Sequence, residues 1–199
     1  MKQETPTTSD QRAFNIVIAG TAAMGLAAIG FSFLLSTPLM PQFKADFNAI
    51  LIGVIATAPL VGFLYWFSNT TLNRFASFRR SQIKFFSEIG FAFTPPRIAA
   101  MAIGAGIAEE LLFRGVLQSW IGNFAPAVIA IVISNMLFGM MHMRTLLYAI
   151  IAGLVGAYLG ILYALTDNLL APMVTHAIYD AVALEYTRRA INRYKSGFI

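Results

Sequence analysis

The chain has 199 residues, of which 58% are hydrophobic and 12% charged, and its mean hydropathy is +0.69. A soluble domain is usually about one quarter charged, so this composition excludes an ordinary soluble protein and indicates an integral membrane protein. The absence of cysteine excludes disulfides, thiol chemistry and cysteine-ligated metal sites. The net charge of +5 would suit nucleic-acid binding, but the basic residues lie between apolar segments, and we expect no nucleic-acid partner.

Six apolar segments follow one another, each judged against the ~20 helical residues that cross the hydrocarbon core. The first begins after a polar leader and lacks a signal-peptide cleavage box, so we interpret it as a retained helix. The sequence therefore predicts an all-α fold, a polytopic transmembrane helix bundle with about six transmembrane helices. These segments are residues 14–35, 49–67, 98–121, 126–143, 146–165 and 169–187.

The basic residues predict the orientation of the bundle. Twelve of the fourteen lysines and arginines, Lys2 and Arg97 among them, lie on the side that holds both termini. Lysine and arginine in short loops are retained in the cytoplasm, so both termini are predicted to be cytoplasmic. We assign these residues to topology and lipid headgroup contact. The region 68–96 contains Arg79, Arg80 and Lys84 and is predicted to form an amphipathic helix on the inner leaflet.

The chain is expected to divide into two units at the paired prolines 95 and 96, which preset the start of a helix. Residues 1–95 would form a cytoplasmic leader, two transmembrane helices and the basic amphipathic segment. Residues 96–199 would form a four-helix core with a basic cytoplasmic tail. Small residues between 152 and 160 predict a helix-packing face. Tyr163, near a segment end, is predicted to anchor the membrane interface.

Glu109, Glu110 and Arg114 lie inside the third apolar segment. A charge at the bilayer centre costs at least ~2.5 kcal/mol, so these side chains must face a protein interior or a wet cavity. Glu110 and Arg114 are four residues apart, share one helix face and are predicted to form an ion pair. Glu109 is rotated by roughly 100° and is predicted to be available for chemistry. The alternative is that both carboxylates have only a structural role and connect neighbouring helices.

Both histidines of the chain also fall in apolar segments. His142 follows Asn135 and Phe138 by seven and four residues, which places the three on one helix face. His176 precedes Asp180 by four residues in the last segment. An isolated histidine in a membrane helix is more often a hydrogen-bonding bridge than a catalyst. Because the two histidines join the other intramembrane acids, we predict one shared site in a water-filled cavity open to the cytoplasm.

The sequences Glu-Glu-Leu-Leu-Phe-Arg (109–114), Phe-Gly-Met-Met-His (138–142) and His-Ala-Ile-Tyr-Asp (176–180) resemble three motifs of the CPBP family. Those motifs are Glu-Glu-x-x-x-Arg, Phe-x-x-x-His and His-x-x-x-Asn/Asp. The family contains the CAAX prenyl endopeptidases, the bacterial Abi proteins and the bacteriocin self-immunity proteins. All three motifs occur in order, and the resemblance covers about residues 96–189. It implies an intramembrane endopeptidase that hydrolyses a peptide bond of a membrane-associated protein or peptide.

The resemblance also implies the catalytic roles. Glu109 would be the general base that activates water, and His142 would position or polarise that water. His176 would stabilise the oxyanion together with Asp180. An ionised aspartate cannot donate a hydrogen bond, so we expect Asp180 to orient His176, or to act as a protonated donor. The supporting residues would be Glu110, Arg114, Phe138 and Asn135.

The cofactor requirement stays open at this point. Glu109, His142 and His176 could supply the three ligands of an open zinc site. However, the chain has no His-Glu-x-x-His pair, and a glutamate-activated water needs no metal, so we favour a metal-free site.

An alternative function is a catalytically silent membrane scaffold, or an immunity protein, that binds a partner membrane protein or a secreted peptide. The expected partners are the lipid bilayer, a membrane-associated protein or peptide substrate and, in the alternative, a membrane-protein partner. The expected location is multi-pass in a bacterial or organellar inner membrane, with the site facing the cytoplasm.

Overall fold

The computed structural model describes residues 8–196, so the start of the predicted leader, with Lys2, lies outside the described part. These residues form helices and no strands, which confirms the all-α fold. A 3₁₀ turn, Met40–Gln42, lies between the first two helices, and a π-helical segment, Leu111–Gln118, joins α4 to α5. The helices are α1 (Thr8–Leu34), α2 (Phe47–Asn69), α3 (Asn73–Ser87), α4 (Pro95–Glu110), α5 (Ser119–Gly122), α6 (Ala127–Met141), α7 (Leu146–Thr166) and α8 (Leu170–Lys195).

Three of these helices, α1, α2 and α7, are long and apolar enough to cross a membrane. Helix α6 is apolar but has 15 residues, so it is about 22 Å long against about 30 Å of hydrocarbon. Helices α4 and α8 contain the ionisable residues discussed above. The long apolar helices support an integral membrane protein. The number of spans and the side of the termini stay predictions.

Helix α8 packs along both α2 and α4, and α6 packs against α7. The α2–α8 contact is close because Gly53 has no side chain, and a Cβ there would lie 2.7 Å from the carbonyl oxygen of Ala171. The Thr175 hydroxyl donates to the Gly53 carbonyl across the same contact, at 2.8 Å. This packing places α8, with His176 and Asp180, in the centre of the bundle.

The predicted amphipathic segment is present as α3. Arg80 and Lys84 are exposed, whereas Ile83 and Phe86 pack against a buried apolar cluster formed by Phe91, Phe93, Ile98 and Ile191. Its contact with the inner leaflet stays a prediction.

Arg97 differs from the prediction that the basic residues contact lipid headgroups. Its side chain is buried, pairs with Asp10 and donates to the Gln11 side chain at 3.0 Å. Its guanidinium carbon also lies 4.9 Å from the centre of the Phe14 ring. Arg97 therefore ties the start of α4 to the start of α1, a long-range contact that local sequence cannot reveal.

Tyr163 is buried, so the prediction that it anchors the membrane interface is wrong. Its hydroxyl donates to Gln42 Oε1 at 2.6 Å, and Gln42 Nε2 donates to the Gly115 carbonyl at 3.0 Å. The Leu169 amide donates to the Gln42 carbonyl at 2.8 Å. The turn between α1 and α2 thus folds over the end of the bundle opposite α3 and covers Tyr163.

The small residues of α7 form a helix-packing face, as predicted. Gly153 lies against Gly139 of α6, and a Cβ at Gly139 would be 2.6 Å from the Ala149 carbonyl oxygen. Such a distance is shorter than real Cβ atoms tolerate, and the nearest atom is backbone. The α6–α7 spacing therefore requires glycine at position 139.

We expect Gly139→Ala to lower the free energy of unfolding by about 1–3 kcal/mol, because the added methyl overpacks the α6–α7 contact. Gly62→Ala is the matched control, since no atom lies within 4 Å of a Cβ at that position. Denaturation of both variants in detergent micelles measures the difference. Equal stability of the two variants would contradict the close α6–α7 contact.

Candidate active site

The π-helical segment begins directly after Glu109 and Glu110, the last residues of α4. Such segments insert a wide turn into a helix and occur frequently at functional sites. Ser119 Oγ donates to the Arg114 carbonyl at 2.9 Å, which gives a carbonyl of this segment a side-chain partner. The sequence predicted one continuous third helix here, because no proline or glycine pair marks the π-helical turn.

The predicted ion pair is buried. Arg114 Nη1 lies 2.8 Å from Glu110 Oε1, and both side chains are fully inaccessible to solvent. Arg114 Nη2 also donates to Asn135 Oδ1 at 2.8 Å and to the Gly156 carbonyl. The guanidinium carbon lies 5.2 Å from the centre of the Phe138 ring. Asn135 therefore accepts a hydrogen bond from the arginine of the ion pair. These contacts join α4 and the π segment to α6 and α7.

His176 is oriented by Glu110. Its Nδ1 lies 2.7 Å from Glu110 Oε1, whereas Asp180 Oδ2 lies 3.5 Å from the other ring nitrogen, Nε2. We expected Asp180 to orient the ring through the i,i+4 spacing. Glu110 reaches Nδ1 instead because α4 and α8 approach closely, and a Cβ at Gly106 would lie 3.0 Å from the Ala177 amide nitrogen.

Glu109 differs from its neighbour Glu110 in both exposure and partners. Its side chain is 16% exposed, against 0% for Glu110. Its Oε2 lies 3.8 Å from His176 Nε2, which is beyond hydrogen-bond distance, and has no hydrogen-bond partner among the described residues. Adjacent glutamates are thus divided between a buried network and a carboxylate that faces a cavity.

The cavity has a volume of about 280 Å³ and brings the four predicted catalytic side chains together. Glu109, His142, His176 and Asp180 all line it. The rest of the wall is mainly apolar and aromatic and comes from α2, α3, α7 and α8. These residues include Phe63, Phe67, Ile83, Phe86, Ile151, Val155 and Leu184.

His142 lies just beyond the end of α6, and this position turns its ring into the cavity. Its Nδ1 lies 2.8 Å from the Phe138 carbonyl oxygen. The Phe138 ring lies 4.5 Å from the His142 ring and 6.3 Å from the His176 ring, measured between ring centres. Phe138 therefore separates and positions the two histidines.

Several lining residues were missed by the sequence analysis. Tyr148 and Tyr179 line the cavity, and the centre of the Tyr148 ring is 5.9 Å from that of His142. Ser68 and Gln82 also line it, from the end of α2 and from α3. Tyr179 could have been found from its place inside the third motif. Ser68 and Gln82 come from segments that only tertiary packing brings near the motifs, whereas Tyr148 follows His142 by six residues without a motif that marks it.

The three side chains considered as zinc ligands do not converge here. Within residues 8–196, no three histidine, aspartate or glutamate side chains lie close enough together to hold a metal ion. Glu109 and His176 approach each other, while His142 Nδ1 is directed at the Phe138 carbonyl and His176 Nδ1 at Glu110, so only the Nε2 atoms of the two histidines would be available to a metal ion. The metal-free site stays a prediction.

Comparison with known proteins matches residues 91–182 to the family model of the type II CAAX prenyl endopeptidase Rce1-like proteins. An uncharacterised protein of Bacillus subtilis (strain 168), YpbD, is 38% identical over 90 residues, which are 44% of this chain and 43% of that protein. The chain thus covers less than half the length of this relative. No solved structure matches the chain. The three motifs lie within the matched residues, which confirms the resemblance drawn from them.

The two adjacent glutamates should respond very differently to loss of charge. We expect Glu110→Gln to lower the free energy of unfolding by about 3–5 kcal/mol, because it leaves the Arg114 guanidinium buried without its counter-charge. Glu109→Gln should change stability by less than about 1 kcal/mol, since Glu109 Oε2 has no bond to lose. Denaturation midpoints in detergent provide the measurement. Similar losses in both variants would disprove this division.

Proposed function

We propose that this protein is a membrane-embedded endopeptidase, because residues 91–182 match the family model of the type II CAAX prenyl endopeptidase Rce1-like proteins. It hydrolyses a peptide bond of a membrane-associated protein or peptide with a water molecule activated by Glu109. The observation that carries the proposal is the meeting of Glu109, His142, His176 and Asp180 in one cavity.

Glu109 is the general base. A base needs an oxygen that is free to accept a proton, and Glu109 Oε2 has no hydrogen-bond partner among the described residues. It takes a proton from water as the water oxygen bonds to the substrate carbonyl carbon. The same proton then passes to the peptide nitrogen as the carbon–nitrogen bond breaks, so the carboxylate is regenerated.

His142 positions the attacking water. Its Nδ1 donates to the Phe138 carbonyl, which leaves Nε2 of a neutral ring as an acceptor. An acceptor at this place holds one hydrogen of the water while Glu109 takes the other. The contact with Phe138 keeps the ring in this orientation.

His176 stabilises the oxyanion that forms on the substrate carbonyl. Glu110 holds Nδ1, so a proton on Nε2 is directed away from that carboxylate and toward the side of Glu109 and Asp180. Such a donor lowers the energy of the developing negative charge. Asp180 either accepts from Nε2 between turnovers or, when protonated, donates to the oxyanion itself.

The buried network supports this geometry before the substrate arrives. Arg114 fixes Glu110, and Glu110 fixes His176, so the donor does not need to reorganise during the reaction. Asn135 and the Gly156 carbonyl hold the other side of the guanidinium.

We infer that the site faces the cytoplasm of a bacterial or organellar inner membrane. The cavity is bordered by α3, whose exposed face includes Arg80 and Lys84. Basic residues of this kind are retained on the cytoplasmic side and contact anionic lipid headgroups. A substrate held at the membrane surface by an apolar or lipid-modified segment could reach the cavity from that side.

Glu109→Gln should abolish proteolysis, with a rate loss of at least about 100-fold, because the amide cannot accept the proton. Proteomics of cells with the wild type or the variant should identify a fragment that disappears in the variant. Glu88→Gln, at an exposed carboxylate outside the cavity, is the control. Cellular function that survives Glu109→Gln, with an unchanged fragment pattern, would favour the scaffold or immunity alternative.

Metal chelators should not affect this proteolysis, because the proposed steps use side chains alone. The purified protein, treated with EDTA and then with 1,10-phenanthroline, is expected to retain its cleavage rate. Metal analysis of the same sample provides an independent readout. Loss of activity that is restored by zinc would contradict the metal-free mechanism.

A further inference from the structure

The inner face of α3 carries a polar group that the proposed mechanism does not use. Gln82 lines the cavity together with Glu109, and its neighbours on that face are Ile83 and Phe86. Ser68, near the end of α2, lines the same cavity. The two polar side chains come from α2 and α3, whereas the four catalytic candidates come from α4, the end of α6 and α8.

Neither polar side chain is satisfied within the described residues. Gln82 Nε2, Gln82 Oε1 and Ser68 Oγ are all buried and have no hydrogen-bond partner there. Proteins pair nearly all buried polar groups because an unpaired group loses its bonds to water. A buried amide with both its donor and its acceptor unpaired reduces stability, so a binding role would account for its presence.

Arg79 fixes the part of α3 that carries Gln82. It lies one helical turn before Gln82 and donates through Nη1 to the carbonyl oxygens of Phe67 and Thr70, at 2.8 and 2.9 Å. These bonds fasten α3 to the end of α2, next to Ser68. The three unpaired atoms are therefore carried by two helices whose relative position is fixed.

We propose that Gln82 and Ser68 bind the main chain of an extended peptide substrate. A primary amide presents one acceptor and two donors, so it can bond to both the N–H and the C=O of a peptide group. The Ser68 hydroxyl supplies a further donor or acceptor. Main-chain bonds give affinity without requiring a particular side chain. This inference rests on the proposed function, since it concerns the substrate of the same cavity.

The aromatic residues beside Gln82 and Ser68 indicate which side chains the bound peptide carries. Phe63, Phe67 and Phe86 line the same cavity. An extended chain bonded to Gln82 can place an apolar side chain against these rings. The subsite therefore suits an extended peptide that carries an apolar side chain beside the bonded main chain.

Gln82 and Ser68 form the proposed peptide-binding subsite. If Gln82 binds the substrate, replacing it should weaken peptide binding without lowering the stability of the protein. Gln82→Met keeps the length of the side chain but removes both unpaired polar atoms. A residue with a structural role would lower thermal stability when replaced. A binding residue retained at a cost in stability would leave the melting temperature unchanged or higher while the affinity for peptide falls.

The test measures peptide binding without turnover, in full-length protein that carries Glu109→Gln. The probe is a fluorescent peptide ending in S-farnesyl-cysteine, valine, isoleucine and methionine. We expect Gln82→Met to raise the Kd about tenfold and Ser68→Ala about threefold, in line with the loss of one or two hydrogen bonds. The matched controls on the exposed side of α3 are Lys84→Met and Ser81→Ala.

Peptides in which one backbone N–H is replaced by an ester oxygen localise the contact. One such ester should weaken binding to the protein with Gln82 and should have no effect once Gln82 is methionine. Ester effects that add fully to Gln82→Met would overturn the subsite. An unchanged Kd, a lowered melting temperature in Gln82→Met, or no binding by the protein with Gln82 would also overturn it.

The same peptide separates this inference from the proposed function. Binding that depends on Gln82, without hydrolysis by the wild type, would refute the peptidase and leave the subsite intact. Hydrolysis that depends on Glu109, with no effect of Gln82→Met on Kd or KM, would support the peptidase and refute the subsite.

Discussion

The buried guanidinium of Arg114 is the constraint on which the rest of the structure depends. A charge without solvent contact must be neutralised and hydrogen-bonded, and each partner of Arg114 comes from a defined place in the bundle. Glu110 is in α4, Asn135 in α6 and the Gly156 carbonyl in α7. Glu110 then continues the network to His176 in α8. One charge thus sets the relative positions of four helices, and the cavity lies beside them.

The position of Arg114 also explains why residue 156 must be glycine and why the adjacent Glu109 and Glu110 have different roles. Gly156 cannot be larger, because a Cβ there would lie 2.5 Å from Asn135 Oδ1 and 3.2 Å from Arg114 Nη2. Glu110 is committed to Arg114 and His176 and cannot accept a proton without weakening both contacts. Glu109 points in another direction because it is one residue earlier on the helix. Glu109 therefore stays outside the ion pair and lines the cavity.

The cavity contains polar atoms that have no hydrogen-bond partner among the described residues. Glu109 Oε2 and both amide atoms of Gln82 are unpaired, as are Glu110 Oε2 and Arg114 Nε in the neighbouring ion-pair network. A protein selected for stability alone would pair or remove such groups. Those of Glu109, Gln82 and Ser68 line one apolar and aromatic cavity, where the main chain of a peptide with apolar side chains would supply hydrogen-bond partners.

The sequence by itself determined the helical class, the approximate helix limits, the Glu110–Arg114 pair and the set of residues around Glu109, His142, His176 and Asp180. These features depend on local properties, namely the length of apolar runs, the i,i+4 spacing and short motifs. Tertiary structure alone decided that Glu110 orients His176, that Arg97 pairs with Asp10, that Tyr163 is buried under Gln42, and that Gln82 lines the cavity. Each of these depends on contacts between residues 66 to 121 positions apart or on the packing of α3, and no local pattern encodes such distances. The π-helical segment belongs to the same group, because no proline or glycine pair marks its wide turn in the sequence.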